Sequence, residues 1–181
     1  MEKRFVKNRL IKIAITGPES TGKSRLAEYL ALHYNSIWVP EFAREYLNTI
    51  NREYNYDDIL IIAKKQIKEE KSFANKANGI LFCDTELLVT KIWCEYKYKQ
   101  CHNWILENIL KHKYNLFLLC DIDLEWKADP LREHPNARKE LLNLYIRELK
   151  FYNFPYYIVS GKGQDRFDNA INYINEYLKF Y

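Results

Sequence analysis

Gly17-Pro-Glu-Ser-Thr-Gly-Lys-Ser24 follows directly on the apolar run Leu10-Ile-Lys-Ile-Ala-Ile-Thr16. The octapeptide fits the pattern G-x-x-x-x-G-K-[ST] at every fixed position. A loop between a buried strand and a helix can turn successive backbone N–H groups inward only where glycine permits left-handed geometry, and the result is a cationic nest at a helix N-terminus. A polyphosphate fits there. Lys23 adds a mobile charge for the β- and γ-phosphates, and the Ser24 hydroxyl can complete the coordination of Mg2+. With 5 Gly, 19 Lys and 10 Ser plus Thr in 181 residues, chance would produce the pattern about once in a thousand such chains. The residues after it continue as a helix over 23–34, with Leu26, Leu30 and Tyr34, joined by Tyr29 and His33, on one side.

The chain is long enough for one well-cored domain and short for two, so residues 1–181 are read as a single domain. Its 48% hydrophobic and 29% charged content are those of a soluble globular protein. No run approaches the length a membrane helix needs, and 1–9 is charged and leads into a short strand, unlike a signal peptide. A cytoplasmic location with no membrane partner is expected. Cys83, Cys94, Cys101 and Cys120 stand isolated in sequence and read as reduced thiols. The net charge of +4 is modest, with lysines spread beside acids, so no nucleic-acid partner is expected. Oligomeric state is not written in these residues.

Strands alternate with helical stretches from end to end, which is an α/β pattern. Strands are expected at 10–16, 36–40, 80–83, 114–120 and 156–160, each a short apolar run suited to a parallel sheet covered on both faces. Helices are expected at 57–77, 85–97, 103–112, 137–152 and 165–180, with Asp57, Asn136 and Asp165 as caps. The polar segment 121–136 contains two prolines and follows the fourth strand.

Further chemistry clusters where strands end. Asp84 follows four apolar residues of the third strand, the arrangement called Walker B, and would face Mg2+ or its water shell; the plainer alternative is that it caps the next helix, with Asp84, Thr85 and Glu86 in the first turn. In Val39-Pro-Glu-Phe-Ala-Arg44, Glu41 and Arg44 share one face at the start of a helix. Ligands of such sheets sit outside the carboxyl ends of the strands, so Glu41 is placed to orient or deprotonate a substrate hydroxyl and Arg44 to hold substrate or phosphate. An exposed helical pair is the plainer alternative. Arg132 can close over a transferring phosphoryl group, and Arg138 can do so or remain solvated. His134, before a proline, shapes the loop. Gly161 and Gly163 follow the fifth strand, where low bulk would suit contact with a nucleotide base or simply a turn.

These residues resemble the ribosylnicotinamide kinase domain of the bifunctional NadR proteins and the wider group of NadR-like P-loop ATPases. The resemblance is carried by Gly17-Pro-Glu-Ser-Thr-Gly-Lys-Ser24, Glu41-Phe-Ala-Arg-Glu-Tyr46, Asp84-Thr-Glu86 with Trp93-Cys-Glu-Tyr96, and Trp126 through Asp129-Pro-Leu-Arg132, across essentially the whole chain. It implies a three-layer α/β/α fold with a five-stranded parallel sheet in order 2-3-1-4-5 and a lid at roughly 121–136. It also implies ATP- and Mg2+-dependent phosphorylation of the 5′-hydroxyl of nicotinamide riboside. NadR proteins carry an adenylyltransferase domain ahead of the kinase, whereas nine residues precede the first strand here, so this chain is not expected to make NAD by itself.

The expected ATP site is Gly17, Glu19, Ser20, Thr21, Gly22, Lys23, Ser24, Arg25, Arg132, Gly161 and Gly163, with Ser24 and Asp84 on the metal. The expected acceptor site is Glu41, Arg44, Asp84, Glu86, Trp93 and Tyr96, and the two aromatics could stack on a cationic pyridinium ring or pack in the core. Lys23, Glu41, Asp84 and Arg132 carry the catalytic roles. Two alternatives stay open: a kinase for another nucleoside or nucleotide, and an ATP-dependent switch. A guanine-reading N-K-x-D is missing, since Asn75-Lys-Ala-Asn78 ends in Asn.

Overall fold

In the computed structural model, residues 10–180 are described. Five strands, β1 (Ile11–Thr16), β2 (Ile37–Val39), β3 (Ile80–Asp84), β4 (Leu116–Cys120) and β5 (Tyr156–Val159), form one all-parallel sheet in the order β2-β3-β1-β4-β5. The apolar run of β1 occupies the centre, where a strand covered on both faces has no use for alternation. Ile13 pairs with Phe82 on one side and Leu116 on the other.

Among the described residues seven helices surround the sheet: α1 (Lys23–His33), α2 (Phe42–Thr49), α3 (Tyr56–Ala74), α4 (Leu87–Tyr98), α5 (Asn103–Ile109), α6 (Arg138–Phe151) and α7 (Gln164–Lys179). On one face, Ile13, Ile15, Phe82 and Leu118 meet Leu26 and Leu30 of α1 and Phe167 and Ile174 of α7. On the other, Ala14, Leu81, Phe117 and Leu119 meet Leu88 of α4 and Leu141, Tyr145 and Leu149 of α6. Burying side chains of this size stabilises the fold by about 1.5–3 kcal/mol each. Because every strand is parallel, the carboxyl ends of β1, β3 and β4 lie along one edge, flanking the point where the strand order reverses.

Several local expectations are corrected. Asn55, and not Asp57, caps α3: its side chain accepts from the Asp57 and Asp58 amides, while Asp58 returns a bond to the Asn55 N–H in a capping box. Neither Asn136 nor Asp165 caps a helix, since Ala137 and Gly163 stand at those positions. α4 begins at Leu87, two residues late, because Thr85 takes a left-handed φ of 68°. α3 and α5 stop three residues short of the expected bounds, at Ala74 and Ile109. His33 is exposed, whereas Tyr29 stacks on Phe167 with ring centroids 3.9 Å apart.

Candidate active site

The Gly17–Ser24 loop wraps the N-terminus of α1. Left-handed φ angles at Gly17 (130°), Ser20 (58°) and Gly22 (77°) turn its amides inward. At Gly17 a side chain is barred twice, because a Cβ would also lie 2.9 Å from the Cys120 carbonyl oxygen. Thr21, buried, spends its hydroxyl on the Pro18 carbonyl at 2.8 Å. The Lys23 ammonium donates to the Gly17 and Pro18 carbonyls at 3.0 and 2.8 Å, which holds its charge over the loop. Ser24 and Arg25 are exposed.

A cavity of about 340 Å³ starts at this loop. Glu41 and Arg44 line its middle, and Val89, Ile92, Trp93, Tyr96, Leu141 and Tyr145 make an apolar far wall from α4 and α6. Glu41 stands at the N-cap of α2 in extended conformation. The approach is fixed by Gln66, buried in α3, which accepts from the Phe42 amide at 2.9 Å and donates to the Pro40 and Asp84 carbonyls at 3.3 and 3.4 Å. Gln66 and Glu70 occupy the apolar stripe of α3 among Ile59, Ile62, Ala63 and Ile67. Polar residues at core spacing were the sequence signal for this tie.

Asp84 ends β3, 1% exposed, and its Oδ1 has no hydrogen-bond partner. Burial, and then the Glu41 charge, push its carboxyl up to about 7, while the Ser24 hydroxyl, Lys23 and Arg44 pull it down. The left-handed Thr85 then re-aims the chain, its amide still donating to the Ile15 carbonyl at 3.0 Å. Glu86 is the N-cap of α4: it accepts from the Leu88 amide and, at 3.0 Å, from the Thr16 hydroxyl. Burial raises its carboxyl to about 7, opposed by those donors. Glu86 is therefore off the cavity lining, its oxygens spent on the scaffold, and capping of α4 falls to it and not to Asp84.

Residues 121–137 carry no helix or strand and lie against the loop. Glu19 and Ser20, expected as ATP contacts, hold this segment. The Glu19 carboxylate accepts from the Glu133 amide at 3.2 and 3.1 Å and the His134 amide at 3.0 Å. The Ser20 hydroxyl accepts from the Lys127 amide at 2.9 Å, and Arg132 reaches it at 3.5 Å. Arg44 pairs with Asp129 at 2.9 Å, tying α2 to the same segment. Arg138 is not a free helix residue, since it donates to the Leu124 and Ser20 carbonyls at 2.8 and 3.4 Å. Trp93 and Tyr96 face the cavity, with the Trp93 indole donating to the Tyr54 hydroxyl at 2.9 Å and the Tyr96 ring edge-on to His134.

Gly161 and Gly163 do not line this cavity. Gly161 is left-handed, and its amide donates to Asp123 at 2.5 Å, while Gly163 precedes α7. Sequence reading passed over the residue that organises this region. Arg166, 3% exposed, pairs with Asp123 at 2.7 Å and donates to the Gly161, Thr21 and Asp121 carbonyls, so it strings three strand-end loops together. Cys94 and Cys101, isolated in sequence, are neighbours: hydrogen bonding from the Cys101 thiol lowers the Cys94 pKa.

The donor set suits Mg2+. An unpartnered buried carboxylate oxygen beside a serine hydroxyl offers one or two hard ligands and leaves the other positions to water and phosphate, which is how Mg2+ is usually held. Among the described residues no group of three or more His, Cys, Asp or Glu converges on a metal-sized site.

A parallel 2-3-1-4-5 sheet with a phosphate loop after its central strand defines a P-loop fold of the nucleoside-kinase kind. Deoxyadenosine kinase from M. mycoides with bound dCTP shares that fold, with a TM-score of 0.59 and 17% identity over 92% of this chain and all of the other. The chain belongs to the family described as AAA domain, whose profile matches residues 12–166. Its particular likeness is to NadR. The Escherichia coli K12 trifunctional NAD biosynthesis/regulator protein NadR is 28% identical over 176 residues, 92% of this chain and 42% of the relative. A solved NadR protein in complex with NR superposes with a TM-score of 0.81 and 25% identity, covering 92% of this chain and 51% of that one. The chain thus spans about half the length of the NadR proteins it matches. Among the described residues no helix is long and apolar enough to cross a membrane.

Proposed function

We propose that the chain is an ATP- and Mg2+-dependent nucleoside kinase that phosphorylates the 5′-hydroxyl of nicotinamide riboside to nicotinamide mononucleotide. The observation that carries this reading is one cavity with a phosphate loop at one end and an aromatic, apolar wall at the other, with Glu41 between and Asp84 buried behind the lining, where it feels Glu41, Ser24 and Lys23. In the reaction Lys23 and the loop amides hold the β- and γ-phosphates, while Ser24 and Asp84 would hold Mg2+, which when bound offsets charge on the phosphate oxygens. Glu41 orients the acceptor hydroxyl and takes its proton as the oxygen attacks the γ-phosphorus, the bond from that phosphorus to the β,γ-bridging oxygen breaks, and ADP leaves. Arg132, seated on Ser20 within the 121–136 lid, and Arg44 neutralise charge developing on the transferring group. Trp93 and Tyr96 supply ring faces for a cationic pyridinium.

The acceptor half also argues against a nucleoside monophosphate. Beyond Arg44, already assigned to the transferring group, its cation is Lys97, which is paired with Glu133, whereas a phosphate acceptor calls for several free arginines. Phosphate transfer from labelled ATP across a panel of nucleosides is the test. Transfer to another nucleoside and none to nicotinamide riboside would overturn the substrate, and turnover indifferent to every acceptor would favour an ATP-dependent switch. Glu41→Gln should lower kcat at least about a hundredfold while ATP affinity stays. An unchanged kcat would remove Glu41 from the acceptor site.

A further inference from the structure

Glu133 touches both halves of the cavity at once. Its backbone N–H donates to both Glu19 oxygens, inside the phosphate loop, at 3.2 and 3.1 Å. Its side chain turns the other way. There the Tyr54 hydroxyl donates to the carboxylate, and the Lys97 ammonium pairs with it at 2.8 Å. Tyr54 is the second joint, because the same hydroxyl accepts from the Trp93 indole at 2.9 Å and from Lys97 at 2.6 Å. Lys97 also lies over the Tyr54 ring, 3.9 Å from its centroid. Trp93 is part of the cavity wall. A continuous path of hydrogen bonds therefore runs from the acceptor wall through Trp93, Tyr54 and Glu133 to Glu19 of the loop.

These four residues come from α4, the stretch before α3, the lid and the loop after β1, so no single element fixes their spacing. Among the described residues the Glu133 carboxylate finds its charged partner in Lys97, on the acceptor side, and its amide finds Glu19, on the donor side. Burial works against the Glu133 charge, but Lys97 and Tyr54 keep its carboxyl below the ordinary value. It therefore stays an ionised acceptor for both donors at neutral pH.

We propose that Glu133 is a positioning residue that couples acceptor binding to completion of the nucleotide loop. An acceptor ring seated on Trp93 fixes the indole and with it the Tyr54 hydroxyl. That hydroxyl holds the Glu133 side chain, and the Glu133 amide then holds Glu19 and draws Arg132 over the phosphates. Coupling of this kind is reciprocal, so bound nucleotide tightens the acceptor by the same factor.

The inference rests on the kinase reading above, and titration of a non-hydrolysable ATP analogue separates the two. AMP-PNP with Mg2+ is titrated into the protein with and without saturating nicotinamide riboside. In the wild type the riboside should tighten AMP-PNP binding by about tenfold, within the usual range for coupled sites. In Glu133→Ala the factor should fall to near one while AMP-PNP binding alone is retained. Tyr54→Phe, which keeps the ring and loses the hydroxyl, should lose most of the factor too, and the double variant should lose no more than either. A wild-type factor of one, or an undiminished factor in both single variants, overturns the inference and leaves the kinase reading intact. Failure of nicotinamide riboside to bind the wild type at all overturns the substrate reading and this inference with it.

Discussion

Replacing Asp84 by asparagine should make the metal-free protein more stable and less sensitive to pH. Asp84 is 1% exposed with an oxygen unpartnered, and burial, reinforced by Glu41, raises its carboxyl from 3.8 to about 7. A carboxyl whose folded pKa lies above its unfolded value binds its proton more tightly in the native state. The stability this gives is fully present below 3.8 and is lost as pH rises through about 7. At about 1.4 kcal/mol per unit, three units amount to about 4 kcal/mol between acid and mildly alkaline solution. The carboxamide introduced by Asp84→Asn cannot ionise and carries no such loss. Glu86, also raised to about 7, keeps its own share of the slope in the variant. Urea unfolding in EDTA, followed by tryptophan fluorescence from pH 5 to 8.5, should show roughly half the wild-type slope in Asp84→Asn. At the alkaline end the variant's melting point should be about 10 °C higher. Magnesium and ADP should then stabilise the wild type more than the variant. An unchanged slope, or a variant less stable than wild type at pH 8, would refute the placing of an isolated buried carboxylate at the β3 end.

Lys23→Ala should cut phosphoryl transfer by orders of magnitude with an unaltered circular dichroism spectrum, and wild-type rates would dismiss the phosphate-loop role. Gly17→Ala must hold a φ of 130° and push a methyl group to 2.9 Å from the Cys120 carbonyl oxygen. About 1–3 kcal/mol of stability and a weakened nucleotide site are expected, and wild-type values in both would show that the loop can shift. Lys91 is buried between Glu148 and Glu95, 2.8 Å from each. Lys91→Met leaves the buried Glu148 charge with only the exposed Arg147, at 3.3 Å, and should cost up to about 3 kcal/mol in urea unfolding, most of it recovered in Lys91→Met/Glu148→Leu. A single variant that loses less than the double one would reverse that account.

The parts of this fold that were legible in sequence are those where adjacent residues decide the outcome. Continuous apolar runs marked all five strands, and the sheet order followed from the resemblance that the Gly17–Ser24 loop and its companion motifs carried. Glu41 and Arg44 were candidates because a strand end and a helix start bring them to the sheet's carboxyl edge, and they line the cavity; Trp93 and Tyr96, further along α4, could be read as wall or as core, and they line it too. What stayed hidden depends on distant partners. Arg166 meets Thr21 across 145 positions and Glu19 meets Glu133 across 114, and no local spacing encodes either pairing. For the same reason no local sequence signal showed that the Glu19 and Ser20 side chains, in a loop that lines the cavity, also hold the 127–134 segment. Glu86 was misplaced by a single torsion: with Thr85 helical it would have entered the first turn, and with Thr85 left-handed it stands in front of the helix as its cap.

That torsion has a further effect on how the protein can change. Two buried acids, Asp84 and Glu86, sit two positions apart, yet each answers to a separate set of neighbours. Asp84 feels Glu41, Ser24, Lys23 and Arg44, whereas Glu86 feels the Leu88 amide, Thr16 and Glu70. Thr85 works as an insulating joint between a reactive acid and a framework acid on the same short stretch of chain. On the proposed kinase reading, substitutions at 84 would retune metal affinity or acceptor chemistry while α4 keeps its cap and the Trp93 and Tyr96 wall stays where it is. The chemistry at the end of β3 is free to drift without loosening the scaffold that displays it.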